Sequence, residues 1–445
     1  MGVRGYPEEG YGGDSLLGSY FNGLFEESPV TAHYKGIIKS LRFMVNAVDW
    51  LYTRIALDGE TLDLAVSRFS GFRRELDFRT GIYTRELVWH LSGGKDMKLT
   101  FERLVSMKGP NLGCQRITFE PLNFSGTVNV RTGLDFSIIH EDQQRRYWQA
   151  LKQGKGAAGR GHPGANGEHG QPAVFRFPHR GAGGAGEQAR GGRPVYRPGP
   201  GVEAGARCAD GAGQTSRQLR GKNRSLDDET VWGRGMKLTA QHAQAGYEEA
   251  AAGQRAYWSQ VWADSDIAIE GDPENQQGIR FCIFQLYQTY HGDNPGFNIG
   301  AKGLTGEAYR GLAFWDTESY CLPFYIFNNP KAAKSLLEFR YKSLPEALKR
   351  ARELDCEGAF YPIATIDGTE SCDLWQHSNL QLHVGTAVAY GLRHYVSITG
   401  DKAFLFEKGA EMLIQISRFY AIRGQWGQQS GLYGYFGVMG RTSSN

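Results

Sequence analysis

Gly303-Leu304-Thr305-Gly306-Glu307-Ala308-Tyr309-Arg310-Gly311-Leu312-Ala313-Phe314-Trp315-Asp316-Thr317-Glu318 is the stretch on which the reading of this sequence turns. A glycine-rich loop runs into adjacent aromatic and acidic side chains. A Trp beside an Asp suits sugar recognition, because an indole covers apolar C–H faces while a carboxylate accepts bonds from hydroxyls. The competing reading is a structural Trp at a helix start, with Asp316 serving as the N-cap. Asp316 and Glu318 stand two apart, so on a helix they do not share a face and make a poor acid/base pair.

Downstream the periodicity is helical. Residues 276–291 form an apolar-rich run ending near Gly292. Pro330 suits the first position of a helix carrying Leu336, Leu337 and Phe339, and Pro345 opens another. Residues 382–398 make a further helix closed by Thr399-Gly400, and Asp401 caps one that bears Phe404, Leu405, Met412, Leu413, Ile416 and Phe419. Helices joined by short glycine turns predict stacked helical hairpins. Upstream, residues 30–140 alternate apolar and polar, as in Leu62-Asp63-Leu64-Ala65-Val66 and Gly126-Thr127-Val128-Asn129-Val130-Arg131. Closely spaced turn signals such as Ser92-Gly93-Gly94-Lys95 break these runs, which predicts an antiparallel β-sandwich. The expected fold class is therefore multidomain, β then α. A β domain covers 1–245, a helical linker 246–275 and a helical domain 276–445.

Of the 445 residues 60 are Gly, about 13% against a usual ~7%. The excess is local: residues 151–220 hold 18 of the Gly and 6 of the 16 Pro. They also carry a charge of +7 against +3 for the whole chain, which leaves −4 elsewhere. Between Gln153 and Gln218 the branched aliphatics are Val174, Val195 and Val202, too few to offset chain entropy. Dominance by Gly, Ala, Arg and Pro is what out-of-frame reading of GC-rich coding DNA produces; a disordered linker is the alternative. Arg190-Gly191-Gly192-Arg193 resembles single-strand-binding tracts, but Phe175, Phe177 and Tyr196 are its only stackers, and no nucleic-acid partner is expected. Six scattered Cys without a CxxC pair and an N-terminus without an apolar core suggest a reducing, cytoplasmic setting. No apolar run approaches the ~18 residues of a membrane helix.

Gly303 to Phe324 resembles the start of the catalytic domain of glycoside hydrolase family 65, inverting phosphorylases of α-glucosides such as maltose, trehalose, kojibiose and nigerose. Similar stretches are Gly2-Val3-Arg4-Gly5, Leu76-Asp77-Phe78-Arg79-Thr80-Gly81, Glu102-Arg103-Leu104-Val105-Ser106 and Asn123-Phe124-Ser125-Gly126. Ala387-Val388-Ala389-Tyr390 and Thr399-Gly400-Asp401 extend the likeness downstream. Similarity covers roughly residues 1–145 and 230–440, beginning past the strands that usually open the family. The resemblance implies a β-sandwich, a helical linker and an (α/α)6 barrel, of which residues 276–445 are the first part. It implies that Trp315 and Asp316 bind the transferred glucosyl unit and that Phe314 shapes the pocket. It implies inorganic phosphate as co-substrate, no cofactor or metal, no membrane partner, and homodimers among full-length relatives.

The family's general acid is the Glu of a Gly-Pro-Asp-Glu motif. Here Val438-Met439-Gly440 is followed by Arg441-Thr442-Ser443-Ser444-Asn445, so that Glu, expected just after Gly440, is absent and no catalytic residue is assigned. One base lost from codons for Pro-Asp-Glu-Phe-Gln yields Arg-Thr-Ser-Ser-Asn, which suggests a slip at the active site. The chain as written is expected to be inactive, with non-catalytic carbohydrate binding as the alternative. His377 and His383 lack a third ligand at metal spacing and read as packing residues. Glu357 and Glu370 flank Tyr361-Pro362-Ile363-Ala364-Thr365-Ile366-Asp367-Gly368, a loop expected at the barrel mouth. Where several members carry a Trp-Glu pair after the Pro, this chain has Ile363-Ala364, which leaves the acceptor sugar open.

Overall fold

The computed structural model describes residues 1–10, 15–32, 35–47, 49–109, 112–132, 135, 137–141, 144, 195–196, 202–210 and 228–440. Within these, strands of five residues or more are β1 (Phe25–Pro29), β2 (Ser40–Met44), β3 (Thr53–Leu57), β4 (Arg68–Asp77), β5 (Ile82–His90), β6 (Asp96–Val105), β7 (Leu112–Pro121), β8 (Val128–Thr132) and β9 (Val202–Asp210). Helices of six or more are α1 (Asp228–Ser265), α2 (Pro273–Thr289), α3 (Leu322–Asn328), α4 (Pro330–Lys342), α5 (Leu344–Glu353), α6 (Trp375–Leu380), α7 (His383–Thr399) and α8 (Ala410–Arg423). An antiparallel β-rich region thus precedes a helical one. Contacts divide the chain into two units, 1–19 with 46–281 and 20–45 with 282–445, the division falling within α2.

In the first unit an antiparallel sheet of order β9-β7-β6-β5-β4 stands beside a second, in which β8 pairs with β3. On β6 the side chains of Met97, Leu99 and Phe101 point one way by the two-residue period of a strand. They are buried with Ile55 and Leu57 of β3, Trp89 of β5, Phe119 of β7 and Val128 of β8, so one core is shared by both sheets. The alternation read at 62–66 is not a strand. The last bond to β3 runs from the Leu62 N–H to the Ile55 carbonyl at 2.9 Å; beyond it the Asp63 carboxylate accepts from the Ala65 N–H at 3.0 Å while its carbonyl accepts from Ser67, which turns the chain. Helix α1 kinks at Gly246, at φ +76°, where only glycine is free of strain. Beyond the kink, Tyr247 and Ala251 pack on Leu104 and Leu112.

The expected 151–220 segment enters this unit at two places, the short strand Val195–Tyr196 against β8 and β9 against β7. Its remaining residues, including 190–193, lie outside the described ones, as do 441–445. Cys114 is disulfide-bonded, contrary to a reading of six reduced thiols; Cys282, Cys321, Cys356 and Cys372 are free. Among the described residues no helix is long and apolar enough to cross a membrane.

In the second unit the predicted helix signals operate as local chemistry. The Asn329 side chain accepts from the Ala332 N–H at 3.1 Å ahead of Pro330, and Gly400 ends α7 in the left-handed region. The Asp401 carboxylate accepts from the Phe404 N–H at 3.0 Å and pairs with Lys334 at 2.8 Å, which holds it at about 2. The hairpin β1–β2 belongs here: Met44 and Tyr20 are buried among Leu304, Leu312, Tyr361, Val388 and Ile416, and Phe25 packs against that cluster. At Gly358, φ is +84° and a Cβ would stand 2.3 Å from the Phe419 nitrogen and 2.4 Å from the Gln415 oxygen, both on α8. Gly358→Ala is accordingly expected to destabilise this unit by roughly 2–4 kcal/mol, measured as a lowered urea midpoint.

Candidate functional site

Phe314, Trp315 and Asp316 sit where a loop becomes a helix. Ahead of them Tyr309 and Arg310 adopt φ +54° and +55°, conformations that side chains other than glycine rarely take. Gly311 follows at φ +66°, where a Cβ would overlap Met44. Ala313 is then clasped to Thr365 by two backbone bonds, its N–H donating to the Thr365 carbonyl at 2.7 Å and its carbonyl accepting at 3.0 Å. After Asp316 the chain makes a wide turn over Thr317–Cys321 and continues as α3.

The three predicted residues are brought together, each half-buried. The Phe314 ring meets Tyr309 edge-on at 5.8 Å, and the Trp315 ring meets His383 edge-on at 5.1 Å. Asp316 occupies the N-cap position but does not act as a cap. Its backbone is already helical (φ −55°, ψ −31°), and its side chain accepts no capping bond. Among the described residues that carboxylate makes no hydrogen bond and no ion pair. Its charge is felt electrostatically: burial pushes the Cys321 thiol up to about 11, with Glu318 and Asp316 adding to the shift.

Glu318 faces elsewhere, as its spacing from Asp316 predicts. It forms a buried fork with Arg340 of α4, Nε to Oε1 at 2.7 Å and Nη2 to Oε2 at 2.8 Å, and Arg340 also donates to the Phe314 carbonyl at 3.4 Å. A carboxylate already committed to a guanidinium is a brace and not a proton donor.

His383, read from sequence as packing, joins the site. Burial lowers its affinity for a proton and the nearby Asp316 charge acts the other way, for a net downward shift, so the ring is neutral at pH 7. Its Nε2 is buried with no hydrogen-bond partner among the described residues. An orphaned ring nitrogen beside an unspent carboxylate and an indole is a polar edge facing an aromatic wall. His377 does not join; its Nδ1 bonds Gln381 at 2.6 Å. Proximity of His383 to Trp315 spans 68 positions, so no local pattern reveals it. The Met439 N–H donates to the Leu380 carbonyl at 2.8 Å, which brings Val438-Met439-Gly440 beside the end of α6, three residues before His383. Arg310 pairs with Asp373 at 3.4 Å on the other flank. Among the described residues no group of three His, Cys, Asp or Glu side chains is arranged to hold a metal.

Two family descriptions match the sequence, "Glycosyl hydrolase family 65 central catalytic domain" over residues 280–442 and "Glycosyl hydrolase family 65, N-terminal domain" over 1–166. Among curated relatives, a maltose phosphorylase of Bacillus subtilis (strain 168) is 32% identical over 99% of this chain and 58% of its own length. An alpha,alpha-trehalose phosphorylase of Thermoanaerobacter brockii is 29% identical over 96% of this chain and 57% of its own. A solved structure named "Putative kojibiose phosphorylase from human microbiome" superposes with a TM-score of 0.80 at 31% identity, over 98% of this chain and 59% of that one. The chain thus spans less than two thirds of the length of the relatives it matches.

Proposed function

We propose, from the premise that the chain belongs to glycosyl hydrolase family 65, that it supplies the glucosyl-binding face of an inverting α-glucoside phosphorylase. The reaction breaks the bond between the anomeric carbon and the acceptor oxygen while a phosphate oxygen bonds that carbon from the opposite face. A carboxylic acid delivers a proton to the departing oxygen, and β-glucose 1-phosphate and the free acceptor result. Phosphate is itself an anionic nucleophile, so one protein carboxyl suffices where an inverting hydrolase uses two. Trp315 covers the sugar's C–H face, Asp316 accepts from its hydroxyls and Phe314 closes the side of the pocket. The observation that carries this reading is the half-buried Asp316 carboxylate beside Trp315, free of the capping role its position invites. A cytoplasmic location is part of the proposal, supported by free thiols at Cys282, Cys321, Cys356 and Cys372, with Cys114 the exception.

Calorimetric titration of the 445-residue polypeptide with glucose is the test. Saturable heat without phosphate is expected, and its absence would overturn the glucosyl site. No Gly-Pro-Asp-Glu motif occurs in these residues. The same polypeptide is therefore expected to release no glucose 1-phosphate from maltose, trehalose or kojibiose with phosphate, since a positioned acid contributes ~10²–10⁴ in rate. Measurable phosphate-dependent release would refute that. Sugar binding without chemistry is the second reading, to which the same free carboxylate also lends itself. Turnover by a longer protein that includes this chain and the motif separates the two.

A further inference from the structure

We infer that Glu370 is a positioning residue for the Phe314–Trp315–Asp316 segment, acting through the loop that its carboxylate ties together. The inference rests on the proposed role of Trp315 and Asp316 for its functional meaning, though not for its geometry. Glu370 is 5% exposed and accepts four backbone N–H groups: Ile363 at 2.8 Å on Oε2, and Ala364 at 3.4 Å, Ser371 at 3.0 Å and Cys372 at 3.0 Å on Oε1. Donors therefore come from both arms of the loop, 363–364 and 371–372. The Ser371 N–H adds a backbone bond to the Ala364 carbonyl at 2.9 Å.

Each arm reaches the segment that carries the sugar-binding residues. Thr365, next to Ala364, clasps Ala313, the residue before Phe314. Asp373, next to Cys372, pairs with Arg310. A carboxyl suits such a knot because, ionised, it only accepts, and, protonated, its single O–H can turn away and leave a lone pair on each oxygen for the N–H groups. A glutamine there would aim an NH₂ at the Ile363 N–H, donor against donor.

Among the described residues no cation is bonded to this carboxylate. Arg350 of α5 is the charge that favours its ionised form, yet its own bonds run to Asn379 at 2.6 Å, the Gly36 carbonyl at 2.8 Å and Glu353 at 3.0 Å. Arg340 of α4 feels Glu370 but is forked onto Glu318, and the Cys372 thiol is neutral, pushed up by burial and then by Glu370. Burial outweighs the Ile363, Cys372 and Ala364 N–H groups and the Arg350 charge and lifts the Glu370 carboxyl to about 7. A group whose closed-state value stands above its solvent value of 4.5 favours the closed state when protonated. The closed loop is therefore favoured at mildly acid pH and loses that advantage as pH rises from about 4.5 to about 7.

The test is amide hydrogen exchange of the full 445-residue chain, corrected for intrinsic rates, on wild type and Glu370→Gln at pH 5.5 and pH 8. In wild type, protection at Ala364, Ser371, Cys372 and also Ala313 is expected to fall roughly tenfold between the two pH values. In the variant these amides should be less protected at both and show no pH effect, while α4 amides stay unchanged. If the variant changes exchange only within 363–372 and leaves Ala313 as in wild type, Glu370 builds its own loop and positions nothing. If that variant fails to fold, Glu370→Asp, which keeps a carboxyl but shortens its reach, takes its place, and Ala313 protection unchanged from wild type in it overturns the inference. Glucose calorimetry run in parallel is expected to show about tenfold weaker binding for the variant. Absence of wild-type binding would sink the glucosyl reading, whereas the exchange result bears on Glu370 alone.

Discussion

Arg340→Met is expected to lower the unfolding free energy of the helical unit by about 3–5 kcal/mol, read as a fall in the urea midpoint. Arg340 is fully buried and Glu318 is 1% exposed, so water solvates neither charge. Removing the guanidinium leaves a carboxylate that must stay charged in an apolar surround or take up a proton, and either is costly. The favourable part of the pair is modest, because burying both charges largely cancels their attraction. Replacing both partners, as in Glu318→Leu with Arg340→Met, is therefore expected to return stability to within about 2 kcal/mol of wild type. The cycle of single and double variants isolates the coupling. A single variant as stable as wild type would show that the fork is not what holds this corner. Because Arg340 also donates to the Phe314 carbonyl, the single variant should disturb the site even where it folds.

Asp316→Ala carries the second large effect, on binding and not on folding. Hydrogen bonds to a charged group contribute about 1.5–3 kcal/mol, so loss of this acceptor should weaken glucose binding about 10- to 100-fold by calorimetry. The melting temperature should hardly move, since the carboxylate neither caps α3 nor pairs with a cation among the described residues. An unchanged Kd would remove Asp316 from the site. Trp315→Phe is the companion variant. It keeps an aromatic ring against His383 while shrinking the surface offered to a sugar, and so reports recognition more than packing.

What the sequence made legible was local chemistry. Asn329-Pro330, Gly400 and Asp401 act through neighbours within four residues, and their helices end where those signals stand. The glycine-rich loop leading to Trp315 and Asp316 was legible for the same reason. The alternation at 62–66 misled because Asp63 can satisfy backbone N–H groups itself, and a turn built that way competes with a strand. Distant partners were not legible. The fork from Glu318 to Arg340 and the contact of His383 with Trp315 depend on how helices pack. Glu370 looked like one of two acids flanking a loop, and only the folded chain shows four N–H groups converging on it.

The clasp between Ala313 and Thr365 is made by main-chain atoms alone. Placement of the Phe314–Trp315–Asp316 segment is thus tied to the loop through a pair of main-chain bonds. Positions 313 and 365 are constrained all the same, because both are buried and the Thr365 hydroxyl accepts from the Gly368 N–H at 2.8 Å. Proline is barred at both, since each contributes an N–H to the clasp. Substitution at this junction is therefore limited by packing as well as by the two N–H groups, and the carboxyl at 370, on which four amides converge, has almost no substitute.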